Sequence, residues 1–492
     1  MTLSKSLYTR AIQCPKSLWL KKYKPEVLTP PDASAQAVFD TGHAVGELAC
    51  ELFPGGVEVE FSREYAQMAE STARLLEEGV RNIYEATFIY EGVLVMVDVL
   101  YVAEDGSVSL YEVKSSTSVK EIYLHDVSVQ YYVLRGLGMR VKSANVIHID
   151  SSYVRGEELE LERLFCVVDV TAEVQKLQEQ IPQRLAEWEE YLSDTQNEPD
   201  IDIGYHCNKP YECDAKAYCW KVQRNIPDYS IFNIFNLGSK KQVALYAQGI
   251  VDLDDIPEDF EMTAKQKAKV AQYKNGMIHI DTEKIQAFLS ELDYPLYHLD
   301  FETFQQAIPE WRGIKPFMQI PFQYSLHIEY ADSRLEHREF LAEAGQDPRE
   351  ALVRRLIADI PRDVTVLAYN MSFEKRVLRN LAEQFPHHAE HLMAIHDNIK
   401  DLMLPFQKGW YTTPQMQGSY SIKYVLPALV PEMAAAYQEL DGVQNGGEAM
   451  RAFARMSQLE GRELEKMREA LLAYCKLDTL AMVKVLEVLK RV

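Results

Sequence analysis

Residues 86–115 read ATFIYEGVLVMVDVLYVAEDGSVSLYEVKS. β-Branched and aromatic residues crowd three runs, and the turns YEG and EDGS punctuate them, so the stretch predicts three consecutive strands. Strands joined by turns this short run antiparallel, which commits the region to a sheet rather than a helical bundle. Charge intrudes on that apolar pattern at Asp98, Glu112 and Lys114. Side chains alternate faces along a strand, so Glu112 and Lys114 project together, while Asp98 comes from the neighbouring strand. Charges within a strand core need partners or a bound cation. A helical section that includes 63–84 precedes the strands. A helix near 122–137 and the β-rich run VKSANVIHID follow, completing a compact mixed α/β core. A long amphipathic helix is predicted over 170–193.

The same conflict recurs in YPLYHLDFET, residues 294–303, where Asp300 and Glu302 lie two apart in an apolar strand and share a face. Two carboxylates so placed repel and raise each other's pKa unless a cation joins them. The strands IPFQYSLHIEY and LEHREFLAE follow, then a helix at 348–359, the strand VTVLAYN, helices near 372–384 and 387–396, and two long closing helices. A third acid, Glu374, lies in AYNMSFEKRVL. A fourth, Asp478, follows Tyr474 in YCKLD. Tyr474 and Asp478 are four apart and share a helix face. Four converging carboxylates can hold two Mg²⁺ or Mn²⁺ ions about 4 Å apart, as phosphodiester hydrolysis by two-metal chemistry requires. Tyr474 is placed to orient the attacking water. Asp401, in NIKDLML, reads as structural, with an extra or substitute metal ligand as the alternative.

Between these regions, residues 223–288 read as short helices punctuated by NLGS and AQGI. The segment serves as a connector, and its Gly-containing turns resemble a helix-hairpin-helix element. The chain therefore divides into residues 1–222, 223–288 and 289–492.

The C-terminal motifs resemble the DnaQ-like, or DEDD, family of 3′–5′ exonucleases. DFET matches its first motif, NMSFE its second and YCKLD its third, in the tyrosine variant. The second motif usually carries Asp where this chain has Glu374. The resemblance implies an RNase H-like core with Asp300, Glu302, Glu374 and Asp478 as metal ligands and Tyr474 beside them. The N-terminal pattern, D followed by ExK, resembles the RecB-like branch of the PD-(D/E)XK nucleases. His43 in FDTGHAVGELA and Gln130–Tyr131 in VSVQYYVL fall where that branch places a metal-ligating histidine and a substrate-positioning Gln-Tyr pair. Asp98 and Glu112 then bind the metal, Lys114 assists hydrolysis, and Glu85 supports them from outside the ligand set.

The seven cysteines are unevenly spread: Cys207, Cys213 and Cys219 crowd into HCNKPYECDAKAYCW, and Cys14 stands far upstream. RecB-like nucleases of the AddB and CRISPR-associated types often hold a 4Fe-4S cluster with one ligand near the N-terminus and three after the core. The resemblance gives Cys14, Cys207, Cys213 and Cys219 that role. Four thiolates also suit zinc, and the two five-residue gaps differ from the family's usual short first gap.

A composition of 47% apolar and 26% charged residues is that of a globular protein. No apolar run spans a membrane, and the N-terminus lacks the apolar core of a signal peptide, so a cytoplasmic location is expected. A net charge of −22 argues against a passive nucleic-acid coat but not against an enzyme with carboxylate metal sites. The first 25 residues carry Lys5, Arg10, Lys16, Lys21, Lys22 and Lys24, read either as a solvated face or as phosphate contacts. The expected protein is an α/β nuclease with two sites, acting on single-stranded or end-exposed DNA, with RNA a candidate substrate at the C-terminal site. The competing classes are a nucleic-acid-binding protein with one degenerate site and an iron-sulfur redox protein. The second lacks a flavin or nicotinamide fingerprint.

Overall fold

The computed structural model describes residues 3–234 and 236–492. Met1, Thr2 and Phe235 of the predicted connector lie outside it. The chain is mixed α/β and divides into two compact units. One comprises Met1–Asn225 with Gln306–Phe317, the other Ile226–Gln305 with Met318–Val492. Among the described residues, no helix is long and apolar enough to cross a membrane.

The first unit holds a seven-stranded sheet. Its strands are β1 (Leu3–Ser4), β2 (Val57–Glu58), β3 (Asn82–Tyr90), β4 (Val93–Val102), β5 (Val108–Lys114), β6 (Val141–Ile149) and β7 (Phe165–Asp169). The three predicted strands are β3, β4 and β5, antiparallel in sequence. β6 then joins β5 in parallel. The crossover between them is the helix α5 (Glu121–Gly136), as a parallel pair demands. α5 buries Val127, Val129, Val133 and Leu134 in one core with Val95, Val97, Leu110 and Val146 of the sheet. The earlier helices are α1 (Lys5–Gln13), α2 (Pro15–Tyr23), α3 (Ala33–Cys50) and α4 (Tyr65–Glu77). The helix predicted over 170–193 is two, Thr171–Leu177 and Gln180–Ser193. Pro182 has no N–H to donate to the carbonyl of Gln178, so a helix tolerates it only within its first turn.

Where α5 ends, a Cβ on Gly136 would stand 2.2 Å from the Tyr90 ring. That ring is held edge-on against Tyr132. Gly136→Ala is expected to lower stability by about 1–3 kcal/mol through overpacking, read from urea melts. An unchanged midpoint would mean that the ring yields without cost.

The second unit holds a small sheet of β8 (His279–Ile280) with β14 (Tyr411–Thr412) and a five-stranded sheet. The larger sheet contains β9 (Leu296–Phe304), β10 (Ile320–Glu329), β11 (Leu335–Leu341), β12 (Thr365–Ala368) and β13 (Ile399–Asp401), in the order β11-β10-β9-β12-β13. β10 is antiparallel to both neighbours, while β9, β12 and β13 are parallel. Alternation explains the layers. Tyr297, Leu299 and Phe301 of β9 and Tyr324, Leu326 and Ile328 of β10 bury against the helices Arg349–Asp359 and Ser372–Gln384. The opposite faces pair His298 with His327, Asp300 with Ser325 and Glu302 with Gln323. That polar face meets the C-terminal helix Gly461–Leu489, where Gln323 donates to the Leu471 carbonyl (2.8 Å) and His327 and Ser325 both bond Thr479 (2.7 Å). Residues 226–288 belong to this unit and build a satellite core from Ile231, Leu237, Leu245, Leu253, Ile256 and Val270.

Candidate functional site

In the second unit β9 aims Asp300 and Glu302 at the C-terminal helix, and that helix returns Asp478. One carboxylate oxygen from each of the three lies within 4.8 Å of the others. Glu374, at the start of the helix Ser372–Gln384, is 2% exposed, and its Oε2 has no hydrogen-bond partner. It stands close enough to raise the pKa of both Asp300 and Glu302. The helix gives Tyr474 the predicted face, where its hydroxyl lies beside Asp478 and favours the ionised carboxylate. Asp401 accepts from the backbone N–H groups of Asn370 and Met403, both at 3.0 Å, so it fastens the loop that leads to Glu374.

Burial dominates the electrostatics. It pushes Glu302 up to about 8, helped by Asp478, and Glu374 up to about 8. Asp478 rises to about 6, with the Tyr437 and Tyr474 hydroxyls holding it down, and Asp300 rises well above the carboxylate range. A pocket of acids that resist ionisation without a cation suits a divalent ion, which binds the deprotonated forms. All four folded pKa values lie above their unfolded values. These groups therefore add stability below about pH 4, and it is lost as pH rises through 6 to 8. In metal-free protein, Glu302→Gln is expected to raise the melting temperature at pH 8 and to leave it unchanged at pH 4. An equal effect at both pH values would contradict this.

Two partners went unread in the sequence. The Tyr437 hydroxyl donates to Asp478 Oδ1 at 2.7 Å, and Lys423 favours the ionised forms of Glu302 and Asp478. Tyr437 sits in an irregular stretch with no periodic signal. His391 bonds the Ile360 carbonyl, and His396 pairs with Asp397.

In the first unit Asp98 and Glu112 meet as the hairpin predicts. Asp98 Oδ2 accepts from the Val113 N–H at 2.7 Å. Lys114 Nζ donates to Glu112 Oε1 and Asp126 Oδ2, both at 2.6 Å. Gln130 Nε2 donates to Glu112 Oε2 at 2.7 Å and Asp126 Oδ1 at 3.3 Å, while its own Oε1 is buried without a partner. Lys5 Nζ bonds both oxygens of Glu112 (3.0 and 2.9 Å) and Asp98 Oδ1 (3.2 Å). Burial and Glu112 raise the pKa of Asp98 against the pull of Lys5 and Lys114. Glu112 itself is buried yet held well below the usual carboxylate range by those two ammonium groups. Glu85, opposite Asp98, has a left-handed backbone (φ 53°), and burial pushes it up to about 7. Such strain in a non-glycine residue recurs at functional sites.

Two expected members stand apart. Tyr131 is buried and accepts from Gln175 Nε2 at 3.2 Å, turned toward the helix Thr171–Leu177 rather than toward the acids. His43 is exposed on α3, and no contact joins it to Asp98 or Glu112 among the described residues. Asp126 was unread, although Asp126 and Gln130 are four apart on α5 and so share a face.

Cys14, Cys207, Cys213 and Cys219 line one cavity of about 20 Å³, and all four are free thiols. Cys14 joins α1 to α2. The other three lie in a segment clamped to α1 by Arg10, which grips both Asp214 oxygens (2.8 and 2.7 Å), and by Gln13, which donates to the His206 and Tyr211 carbonyls (2.8 Å). His206 also lines the cavity. Its bonds to Cys14 and Cys207 push it up to about 10. The basic run at the N-terminus is mostly consumed internally: Lys5 as above, Arg10 by Asp214, and Lys16 and Lys24 by Glu198. Lys21 and Lys22 are exposed.

Compared with known proteins, residues 297–421 match a family described as a domain of unknown function (DUF2779). That stretch contains Asp300, Glu302 and Glu374. The chain is also 24% identical over 237 residues, 45% of its length, to an uncharacterized protein, UU173, of Ureaplasma parvum serovar 3. The match covers 34% of that relative, so the chain spans about a third of its length. No solved structure matches significantly.

Proposed function

We propose that the chain is a two-site, metal-dependent nuclease. It combines a RecB-like PD-(D/E)XK core, a helical connector and a DnaQ-like, RNase H-like core, and cuts single-stranded or end-exposed DNA, or RNA at the second core. The observation that carries this reading is the convergence of Asp300, Glu302 and Asp478 oxygens in a half-buried pocket, with the unpartnered oxygen of Glu374 beside them. The donor set is hard oxygen throughout, which fits Mg²⁺ or Mn²⁺. Such ions, when bound, supply an activated water and neutralise the leaving oxygen. Asp300, Glu302, Glu374 and Asp478 would hold them. Tyr474, beside Asp478, orients the water, and Tyr437 fixes the Asp478 carboxylate through its Oδ1. Tyr437→Phe is expected to slow this site about tenfold, since it removes a bond that orients a ligand. An unchanged rate would remove Tyr437 from the site.

At the N-terminal pocket Asp98 and Glu112 would hold a divalent ion, with Gln130 Nε2 donating to Glu112 and orienting it. Lys114, fixed by Glu112 and Asp126, presents its charge to the scissile phosphate. The test is digestion of end-labelled DNA and RNA strands with Mn²⁺ by the wild type, Lys114→Ala, Asp300→Ala and the double variant. Each single variant should lose one product pattern, and the double variant both. Equal inertness of all four would leave a nucleic-acid-binding protein.

Four cysteines around one cavity support a 4Fe-4S cluster, with zinc as the alternative. The cluster would be structural, closing a loop from Cys14 to Cys219. Anaerobically purified protein is expected to be brown with broad visible absorbance, and Cys207→Ser to lose the colour. Colourless protein that contains zinc would overturn the assignment.

A further inference from the structure

Lys5 donates at 2.9–3.2 Å to three carboxylate oxygens, two on Glu112 and one on Asp98. These are the oxygens the N-terminal pocket offers a cation. The remaining oxygen, Asp98 Oδ2, is taken by the Val113 N–H. The backbone of Lys5 is fixed in place. β1 pairs in parallel with β4 (Leu3 with Val93, Ser4 with Leu94), and the Leu3 N–H donates to the Gly92 carbonyl at 2.7 Å. Ser4 then caps α1 through the Leu7 N–H. The side chain, by contrast, is 23% exposed and hangs on four rotatable bonds, so it has a way out. Lys114 differs: it holds one oxygen of Glu112 and is tied away from the pair by Asp126.

We propose that Lys5 is the resident counter-ion of the N-terminal pocket, an ammonium that keeps Asp98 and Glu112 together without metal and that a divalent ion must displace before the pocket can act. This rests on the metal-site reading above. An ammonium and a divalent cation cannot share the same three oxygens, because each needs them at contact distance and the two repel. The pocket thus stays folded without metal, and its metal affinity is set by an internal competitor. Once released, the ammonium remains tethered at the pocket's edge, within reach of an anionic substrate.

The test counts ions and follows the lysine, and neither readout needs turnover. Mn²⁺ is titrated by electron paramagnetic resonance into Asp300→Ala protein, which lacks the C-terminal site, with Lys5 or with Lys5→Met. The methionine variant is expected to bind Mn²⁺ about tenfold more tightly, because both the competitor and its charge are gone. Unchanged or weaker affinity overturns the role of Lys5 and leaves the metal site standing. Absence of an N-terminal ion in both proteins overturns the site and the proposal together. In the unsubstituted protein, amine acylation read by mass spectrometry should rise at Lys5 when Mn²⁺ is added, with exposed Lys21 as the constant reference. Labelling that stays level or falls means that Lys5 is not displaced, and the proposal fails even if Lys5→Met does not fold.

Discussion

Asp300→Ala is expected to lower metal-dependent nucleotide release from the 3′ end of a labelled strand by about a thousandfold at the C-terminal site. Asp300 is central to the acid cluster. It lies on the strand that also presents Glu302, its oxygen meets that of Asp478, and its pKa is raised by Asp478, Glu302 and Glu374 alike. Each neighbour can be lost with three acids remaining, but removing Asp300 takes away the carboxylate that every other one faces. The variant should also fold at least as well as the parent without metal. It deletes a half-buried group that favours its neutral form, and Ser325, its cross-strand neighbour, already bonds Thr479. The telling pattern is therefore lost catalysis with an unchanged or raised melting temperature in chelator, together with lost stabilisation by Mn²⁺. Retained 3′ release would place the chemistry elsewhere. A collapsed melting temperature would make Asp300 a structural residue.

Lys114→Ala is expected to slow the N-terminal site about a hundredfold, the scale of removing one preorganised charge from a reacting phosphate. Its consequence for folding has the opposite sign. Lys114 is nearly buried and neutralises Glu112 and Asp126, so its loss leaves two buried carboxylates sharing only Lys5 and Gln130. Breaking a buried pair on one side costs about 3–5 kcal/mol, and a fall of that size in urea melts is expected. Asp126→Asn combined with Lys114→Met removes charge from both sides and should recover much of the stability but none of the activity. If activity returns with stability, Lys114 acts only as a support.

The pairs were legible where a short-range rule governs them. Strand alternation puts Asp300 beside Glu302 and Glu112 beside Lys114. Helix periodicity puts Tyr474 over Asp478 and would equally have paired Asp126 with Gln130. What stayed hidden is set by long-range packing. Lys5 reads as one charge in a basic run until β1 joins β4 and carries it into the pocket. Tyr437 has no period to mark it. Gln306–Phe317, which lies between two strands of the second unit in sequence, belongs to the first, where Gly313 and Ile314 bond the backbone of Arg155. His43 and Tyr131 stand away from the acids for a simpler reason. A motif fixes position along a helix but not which neighbour the helix turns toward. α5 gives Gln130 to the acids and Tyr131 to Gln175.

Anomalous diffraction from crystals soaked in Mn²⁺ tests the central claim most directly. The account predicts manganese peaks among Asp300, Glu302 and Asp478, with Glu374 drawn into the ligand set, and a separate peak between Asp98 and Glu112 with Lys5 swung clear. Saturating Mn²⁺ that leaves no peak at the Asp300–Glu302–Asp478 cluster would contradict it.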